Sequence, residues 1–321
     1  MKSNTPSLMT NGKLNSRSFS KLIFLFGPTG VGKTALLTEL CKDCFSVINA
    51  DSIQVYKGLD IGSAKVSPEV IERVPHYLVD ILQPWQQFTV AKFIELADLA
   101  VEDIVAKGRI PIVSGGTAYY FKHFLYGLSN APQSTAGTRQ QVAAWIEKNG
   151  IAEARKKLLE VDPVSYGKIA ANDVYRLSRA LEVYEDSGKP LSSFEVPTTF
   201  RYGMEPLVIG LYRSKEEMDQ RMRLRFSMMM EAGLLEEIGR LRREGADPRW
   251  PGMQGIGYRE FFSAMESGEY SISQIGDEIV RDSRLYAKRQ LTFFRSFCDT
   301  EWVHADDMGR VLSLVKTYLS T

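Results

Sequence analysis

Unbroken apolar runs punctuate the first third of the chain: LIFLF (22–26), FSVINA (45–50), HYLVDIL (76–82) and IPIVSGG (110–116). Runs of this length, without polar alternation, predict strands buried on both faces, as in parallel sheets. Between the last two runs, TVAKFIELADLAVEDIVAKG switches to helical spacing, with Thr89 as N-cap and Gly108 just past the C-terminus. Strand and helix alternating in this way predict an α/β fold, a parallel sheet flanked by helices, with ligands beyond the carboxyl ends of the strands. PLVIGLY (206–212) predicts one more strand returning to that sheet, and the chain after it reads as mostly helix.

The pattern changes at SNAPQSTAG (129–137), a loop-like cluster, after which TRQQVAAWIEKNG, AEARKKLLEVDP and DVYRLSRALEVYEDSGKP are helical. The expected layout is a polar, disordered tail over 1–20, an α/β core over 21–129 and 200–321, and an all-helical insertion over 130–199. A hydrophobic content of 44% and a charged content of 25% are those of an ordinary globular chain. The formal net charge is only +1, so any contact with nucleic acid must come from a local stripe of cations. Three cysteines make no disulfide framework. The C-x-x-C of Cys41 and Cys44 has no second pair at metal spacing, Cys298 stands alone, and both facts fit a reducing compartment. The tail has no apolar core of a secretory signal, its Lys2, Lys13 and Arg17 without an acid leave a transit peptide as the rival to a disordered tail, and no run approaches the roughly 18 residues of a membrane span. A cytoplasmic protein is expected.

GPTGVGKT follows the first apolar run and fits G-x-x-x-x-G-K-[ST] at every position. Gly27, Pro28, Thr29, Gly30, Val31 and Gly32 form a loop whose backbone N–H groups can converge on phosphate oxygens. Lys33 adds a point charge, the Thr34 hydroxyl can ligate Mg²⁺, and the helix that follows aims its positive end at the anion. This P-loop NTPase-like motif predicts a phosphate ligand, of nucleotide type in its usual settings, without implying hydrolysis. An NTPase would add a strand ending in Asp to hold Mg²⁺, whereas the strand at 110 ends in Ser114-Gly115-Gly116-Thr117. Asp80 follows YLV, but DIL reads on as core.

Asp51 follows the second run and so lies at the carboxyl edge of the sheet, where it can bind Mg²⁺, bind a ribose, act as general base or cap the next turn. Thr117 ends another strand at the same edge, after two glycines that permit close backbone approach. Ser214 and Glu217 form a capping box that starts a helix, on which Arg221 and Arg225 share a face suited to bidentate phosphate binding. In the late helix QIGDEIVRDSRLYAKRQLTFFRSF, Arg281, Arg284, Lys288 and Arg295 make a basic stripe opposite an apolar one of Ile279, Tyr286, Phe293 and Phe297. Such a helix suits a nucleic-acid backbone, with a calmodulin-type partner, a membrane surface or plain solvent as rivals. MQGIGYRE nearby carries Gln254, Tyr258 and Arg259, residues able to stack on and bond to exposed bases. His76, His123 and His304 are dispersed and read as structural.

Taken together, these blocks resemble the tRNA dimethylallyltransferase (tRNA isopentenyltransferase) family of bacterial type. GPTGVGKT, NADSIQVYKGLDIGSAK, VPHYLVDI, GRIPIVSGGTAYYFKHFLYGL, NDVYRLSRALEVY, RMRLRFSMMMEAGLLEE, GMQGIGYRE and YAKRQLTFFR carry the likeness over roughly residues 21–300. The joint occurrence of the D-S-x-Q-V-Y-K-G and Q-x-I-G-Y-R blocks sets the chain apart from P-loop kinases. The resemblance implies transfer of a dimethylallyl group from dimethylallyl diphosphate to the exocyclic N6 amine of the adenosine 3′ of the anticodon. It implies Asp51 as the base and Thr117 as a group that holds the reactants. Lys33, Thr34, the loop amides and Arg225 would bind the diphosphate, with Mg²⁺ at Thr34, and Arg221 joins them by sharing a helix face with Arg225. For the tRNA anticodon stem-loop it implies Asp51, Ser52, Ile53, Gln54 and Thr117. Arg139 and the segment Tyr175, Arg176, Leu177, Ser178, Arg179 join them, as do Gln254, Gly255, Ile256, Gly257, Tyr258 and Arg259. The basic stripe (Arg281, Arg284, Lys288) would add backbone contacts, and a monomer is the simplest assembly. Gly30-Val31 inside the loop and Tyr175 depart slightly from the family pattern. A P-loop kinase with the insertion as lid, an isopentenyltransferase acting on free adenylate, and a non-catalytic RNA-binding module are the rival readings.

Overall fold

The computed structural model describes residues 19–40, 44–194, 197–201, 204–268 and 271–321. The apolar runs become strands of one parallel sheet: β1 (Phe19–Phe26), β2 (Phe45–Asn49), β3 (His76–Tyr77), β4 (Ile110–Gly115), β5 (Met204–Tyr212) and β6 (Thr300–His304). Their spatial order is β3-β2-β4-β1-β5-β6. β1 lies between β4 and β5, with Ile23 opposite Ile112 on one side and Leu207 on the other. That central place is why LIFLF has no polar alternation: Leu22 to Phe26 are all fully buried.

Helices α1 (Lys33–Leu40), α2 (Pro68–Arg73), α3 (Val90–Ala106) and α4 (Ala118–Tyr126) alternate with the first four strands. α5 (Ala136–Val161), α6 (Pro163–Lys168) and α7 (Val174–Ser187) follow. α8 (Lys215–Glu231), α9 (Leu234–Arg243), α10 (Arg259–Ser267), α11 (Ile272–Phe294) and α12 (Met308–Ser320) complete the described chain. One face of the sheet sends Ile23, Leu25 and Val47 into a cluster with Leu36 and Leu37 of α1 and Val311 and Val315 of α12. The other face is aromatic. Phe26 stacks on Phe294 of α11 at 4.3 Å and meets Phe121 of α4 edge-on. Aromatic pairs of this geometry add about 0.5–1.5 kcal/mol beyond burial. They fix α11 across the sheet next to the end of β1.

α3 is capped as its sequence requires: the Thr89 side chain accepts from Lys92 N, and Gly108 takes φ +69° beyond the last turn. Three expectations need correction. HYLVDIL forms a strand only at His76–Tyr77, because Leu78 and Asp80 adopt φ of 63° and 55°, which end an extended chain. Asp80 then turns outward to Lys65, and Ile81 is exposed rather than core. β6 has no counterpart among the expected strands; it is a short edge strand whose TEWVH has no apolar run. Strand β1 begins at Phe19, inside the tail expected over 1–20; the rest of that tail, and Cys41, lie outside the described residues. Cys44 is exposed.

Tyr126–Phe200 forms a compact unit of its own, distinct from the unit made by the remainder. Among its described residues it contains helices and no strand. α5 comprises two helical segments in succession, since Gly150 sits at φ 85°, ψ 162°, at the point where TRQQVAAWIEKNG ends. Val142, Ile146, Ala154, Leu158, Leu177 and Leu181 form the core of the unit. Buried Asp162 joins its segments by accepting bonds from Ser165 N, Ser192 N and Ser192 Oγ.

Candidate active site

The loop between β1 and α1 is built to curl around an anion. Gly30 and Gly32 adopt φ of 77° and 115°, conformations that residues with a Cβ rarely take. Lys33 Nζ donates to the Gly27 and Pro28 carbonyls at 2.8 and 3.0 Å. Burial lowers the Lys33 pKa to about 8; Asp51 opposes the shift and Arg225 adds to it. Of the residues expected to cradle phosphate, Val31 points its side chain into the core and is fully buried, so only its backbone belongs to the loop.

Side chains from α8, from the residue after β5 and from α11 hold this loop by its backbone. Arg221 Nε donates to Gly30 O at 2.6 Å and Arg213 Nε to Val31 O at 2.9 Å. Gln290 of α11, buried, accepts from Thr29 N at 2.9 Å and donates to Gly116 O at 2.6 Å. Neither Arg213 nor Gln290 is marked by a local motif, and sequence reasoning missed both. The capping box at Ser214 and Glu217 is present, and it sets the start of α8 that carries Arg221 and Arg225.

Asp51 and Thr117 meet at the ends of adjacent strands. Thr117 N donates to Ala50 O at 3.1 Å, and Thr117 Oγ1 accepts from Ser52 N at 3.0 Å. A Cβ on Gly115 would stand 2.2 Å from Ala50 O, so the double glycine lets these two strand ends close. Asp51 Oδ1 accepts from Ile53 N and Gln54 N at 2.9 and 3.2 Å, a turn cap. Its Oδ2 has no hydrogen-bond partner among the described residues. Arg225 is the cation that completes this arrangement; its burial lowers its pKa, with Asp51 opposing.

Two cavities join at these residues. One, about 370 Å³, is lined by Gly32, Lys33, Thr34, Asp51, Arg221 and Arg225. The other, about 440 Å³, shares Thr29, Asp51, Ser63, Arg225 and Tyr286 with it and adds Phe88, Tyr120, Met222 and Met229. A larger and more apolar groove of about 670 Å³ runs along α8 past Leu224 and Met228, but neither Asp51 nor Lys33 borders it. The two joined chambers are therefore the candidate site. Tyr286 corrects the reading of α11, for it is half-buried and lines both chambers rather than lying in the apolar stripe. Burial, and then Asp51, push its pKa up to about 12, and its hydroxyl lies against Gln290 and Thr117. Tyr120 is likewise raised by burial, then by Tyr56 and Asp51.

Mg²⁺ prefers hard oxygen ligands in an accessible site. The Thr34 hydroxyl is exposed in the first cavity, has no hydrogen-bond partner among the described residues, and shares that cavity with Asp51. This donor set fits such an ion. Glu217, His304 and Asp306 also converge within 4.8 Å, but Arg213 pairs with both acids there.

Residues expected at tRNA divide sharply. Ser52 and Ile53 are half-buried at the second cavity, and Gln254 and Arg259 are exposed at its edge. Gln54 is committed to the Ser63 and Ala64 carbonyls. Tyr258 is fully buried and so presents no face to a base; its hydroxyl donates to Glu237 at 2.7 Å and accepts from Ser63 N. Gly255 and Gly257 are buried beside it, with Ile256 half-buried at the cavity wall. Arg281 pairs with Glu278 and Asp282, and Arg284 with Asp219, so the basic stripe is partly neutralised. Lys288 and Arg295 are exposed with no acid within 4 Å among the described residues. Within the second unit, Arg139 and Arg176 are exposed and Tyr175 is 82% exposed. Leu177 is core, Ser178 is half-buried, and Arg179 is spent on Ser134 and on Pro132 O.

A family model described as IPP transferase matches residues 54–297. The chain belongs to that family. It is 39% identical over 296 residues to the tRNA dimethylallyltransferase of Borreliella burgdorferi, covering 92% of this chain and 96% of the relative. A second protein so named, tRNA dimethylallyltransferase 2 of Geotalea uraniireducens, is 38% identical, with 88% and 92% covered. Among solved structures, the full-length tRNA isopentenylpyrophosphate transferase of Bacillus halodurans is 31% identical with a TM-score of 0.68, covering 94% of this chain and 97% of its own. A eukaryotic dimethylallyltransferase acting on tRNA gives a TM-score of 0.77 at 26% identity, covering 94% of this chain and 79% of that one.

Proposed function

We propose that this chain transfers the dimethylallyl group of dimethylallyl diphosphate to the exocyclic N6 amine of the adenosine 3′ of the anticodon, releasing diphosphate. The observation that carries this reading is the junction of the two cavities at Asp51, Thr29 and Arg225. A diphosphate in the loop and an amine in the second chamber would meet there from opposite sides.

An adenine amine is a weak nucleophile, since its lone pair is delocalised into the ring. Catalysis therefore needs alignment, proton removal and charge neutralisation at the leaving group. The new bond joins N6 to the terminal allylic carbon as the carbon–oxygen bond breaks, and that electron pair leaves on diphosphate. Lys33, Arg221 and Arg225 neutralise the departing charge. The N6 proton passes to Asp51, whose free oxygen stands at the junction. Phe88, Tyr120, Met222 and Met229 suit the branched allyl group and exclude water from it. Mg²⁺ held at the Thr34 hydroxyl would add positive charge against the diphosphate oxygens. The target base lies in a loop and can leave its stack at modest cost, so an enclosed chamber is accessible to it.

The partners of this reading are the tRNA anticodon stem-loop and dimethylallyl diphosphate, met in the cytoplasm by a monomer. Among the described residues, no helix is long and apolar enough to cross a membrane. The test is incubation of the chain with labelled dimethylallyl diphosphate, Mg²⁺ and unmodified tRNA, with ATP replacing the allylic donor in a control. Label in the adenosine 3′ of the anticodon is expected, with no phosphoryl transfer from ATP. With free AMP supplied alongside tRNA, label on AMP but not on tRNA, or phosphate transferred from ATP, would overturn the proposal.

A further inference from the structure

The cavity that takes the acceptor base has a rim formed by two loops, and each loop carries a tryptophan. Trp85 precedes Gln87 and Phe88, and Trp250 precedes Pro251, all three of which line that cavity. The loops are tied together by Gly252 N donating to Pro84 O at 2.9 Å. A Cβ on Gly252 would stand 3.1 Å from Pro84 Cβ, so the two loops pack closely. Trp85 and Trp250 meet at 5.3 Å with their planes inclined by 61°. An edge-to-face contact covers one face of one ring and leaves the partner's faces uncovered. Trp85 accordingly remains 54% exposed, while the other three tryptophans are at least half-buried.

The backbone beside each loop carries a cation. Lys57 is exposed, has no acidic partner within 4 Å among the described residues, and is fixed to the same rim by its N–H to Leu82 O. Arg249, next to Trp250, has a side chain that is 89% exposed and pairs only with Asp247 among the described residues. A half-exposed indole at the rim offers a π-face on which the ring of an unpaired nucleotide can stack.

We propose that Trp85 and Trp250 form a stacking platform for an unpaired loop nucleotide adjacent to the adenosine that enters the cavity. The proposal rests on the reading of the chain as a tRNA-modifying enzyme and names how the RNA is held outside the reaction chamber. Extruding one base breaks stacking on both its neighbours. Stacking one of those neighbours on Trp85 returns part of that loss and orients the acceptor towards Asp51.

The experiment uses an unmodified anticodon stem-loop RNA carrying 2-aminopurine at one loop position at a time, titrated with the full chain without allylic donor. Quenching on binding is expected at one position beside the acceptor. Trp85→Ala should abolish that quenching and weaken RNA binding about 5- to 140-fold, the range for loss of one base–aromatic stack. Trp85→Phe should restore most of both. Trp250→Ala, which removes the support, should give a smaller loss. Unchanged affinity and quenching in Trp85→Ala would overturn the platform, as would loss of self-association in sedimentation, which would assign the pair to a second copy of the chain. Wild-type prenylation of tRNA, measured in parallel, tests the underlying reading separately.

Discussion

At Asp51, one carboxylate oxygen closes its own turn and the other faces the chamber shared with Lys33 and Arg225. The two roles can be separated. Asp51→Asn keeps an oxygen for Ile53 N and Gln54 N but cannot accept the N6 proton, so kcat should fall by about 10²- to 10⁴-fold with tRNA affinity within a few-fold. Single-turnover transfer and equilibrium RNA binding check this; near-normal transfer would remove Asp51 as the base. Lys33 gives a second prediction. Burial in the loop brings its pKa to about 8, so it is charged below that pH and neutral above it. Anion binding needs the charged form, so pyrophosphate affinity, corrected for the ligand's own titration, should be level below pH 8 and fall by up to about tenfold per pH unit above it. Calorimetric titration across pH measures it, and Lys33→Arg should flatten the profile. Asp51 and Lys33 were legible because strand ends and glycine loops announce themselves locally. Tyr258 was not, since nothing beside a G-Y pair reveals that its hydroxyl meets Glu237 on another helix.

Among elements, the segment after β2 depends most on partners distant in sequence. Glu237 of α9, buried, accepts from Asp60 N at 3.0 Å, Ile61 N at 2.9 Å and Gly62 N at 3.1 Å, as well as from the Tyr258 hydroxyl. Ser63, the next residue, accepts from Arg225 at 3.3 Å through its carbonyl. The carboxylate thus ties α9 to the loop that positions the Arg225 guanidinium. Glu237→Gln would bring an NH₂ group against backbone donors, leaving buried groups unsatisfied at about 1–3 kcal/mol. A lower Tm is expected, together with a higher KM for the allylic diphosphate and a smaller change in tRNA affinity. A lower Tm with unchanged KM would make Glu237 purely structural. The strands β1, β2, β4 and β5 were readable because burial on both faces writes an unbroken apolar run. β6 pairs on one side only and writes none, and the DIL continuation of β3 fails on the backbone of Leu78 and Asp80.

For the whole molecule, a formal charge of +1 means that affinity for a polyanion rests on where cations are left unpaired. Helical spacing correctly gathered Arg281, Arg284 and Lys288 on α11, but could not reveal that Asp219 of α8 lies beside Arg284 or that Asp282 also serves Arg259. Such pairings belong to tertiary structure, and they change what the stripe can do. A cation already paired with an acid releases fewer counterions on meeting phosphate than a bare one. Lys288 and Arg295 are the exposed cations of this stripe without an acidic partner within 4 Å among the described residues. Replacing both with Ala should weaken tRNA binding and lower the slope of log K against log salt by about 0.7–0.9 for each phosphate no longer neutralised. Replacing Arg281 should change the slope less, because Glu278 and Asp282 are released in the same step. Binding measured by fluorescence anisotropy over a range of salt concentrations separates the cases. Equal slopes for the wild type and the Lys288→Ala/Arg295→Ala protein would mean that the bare cations face solvent, and that the tRNA backbone is met by other surfaces.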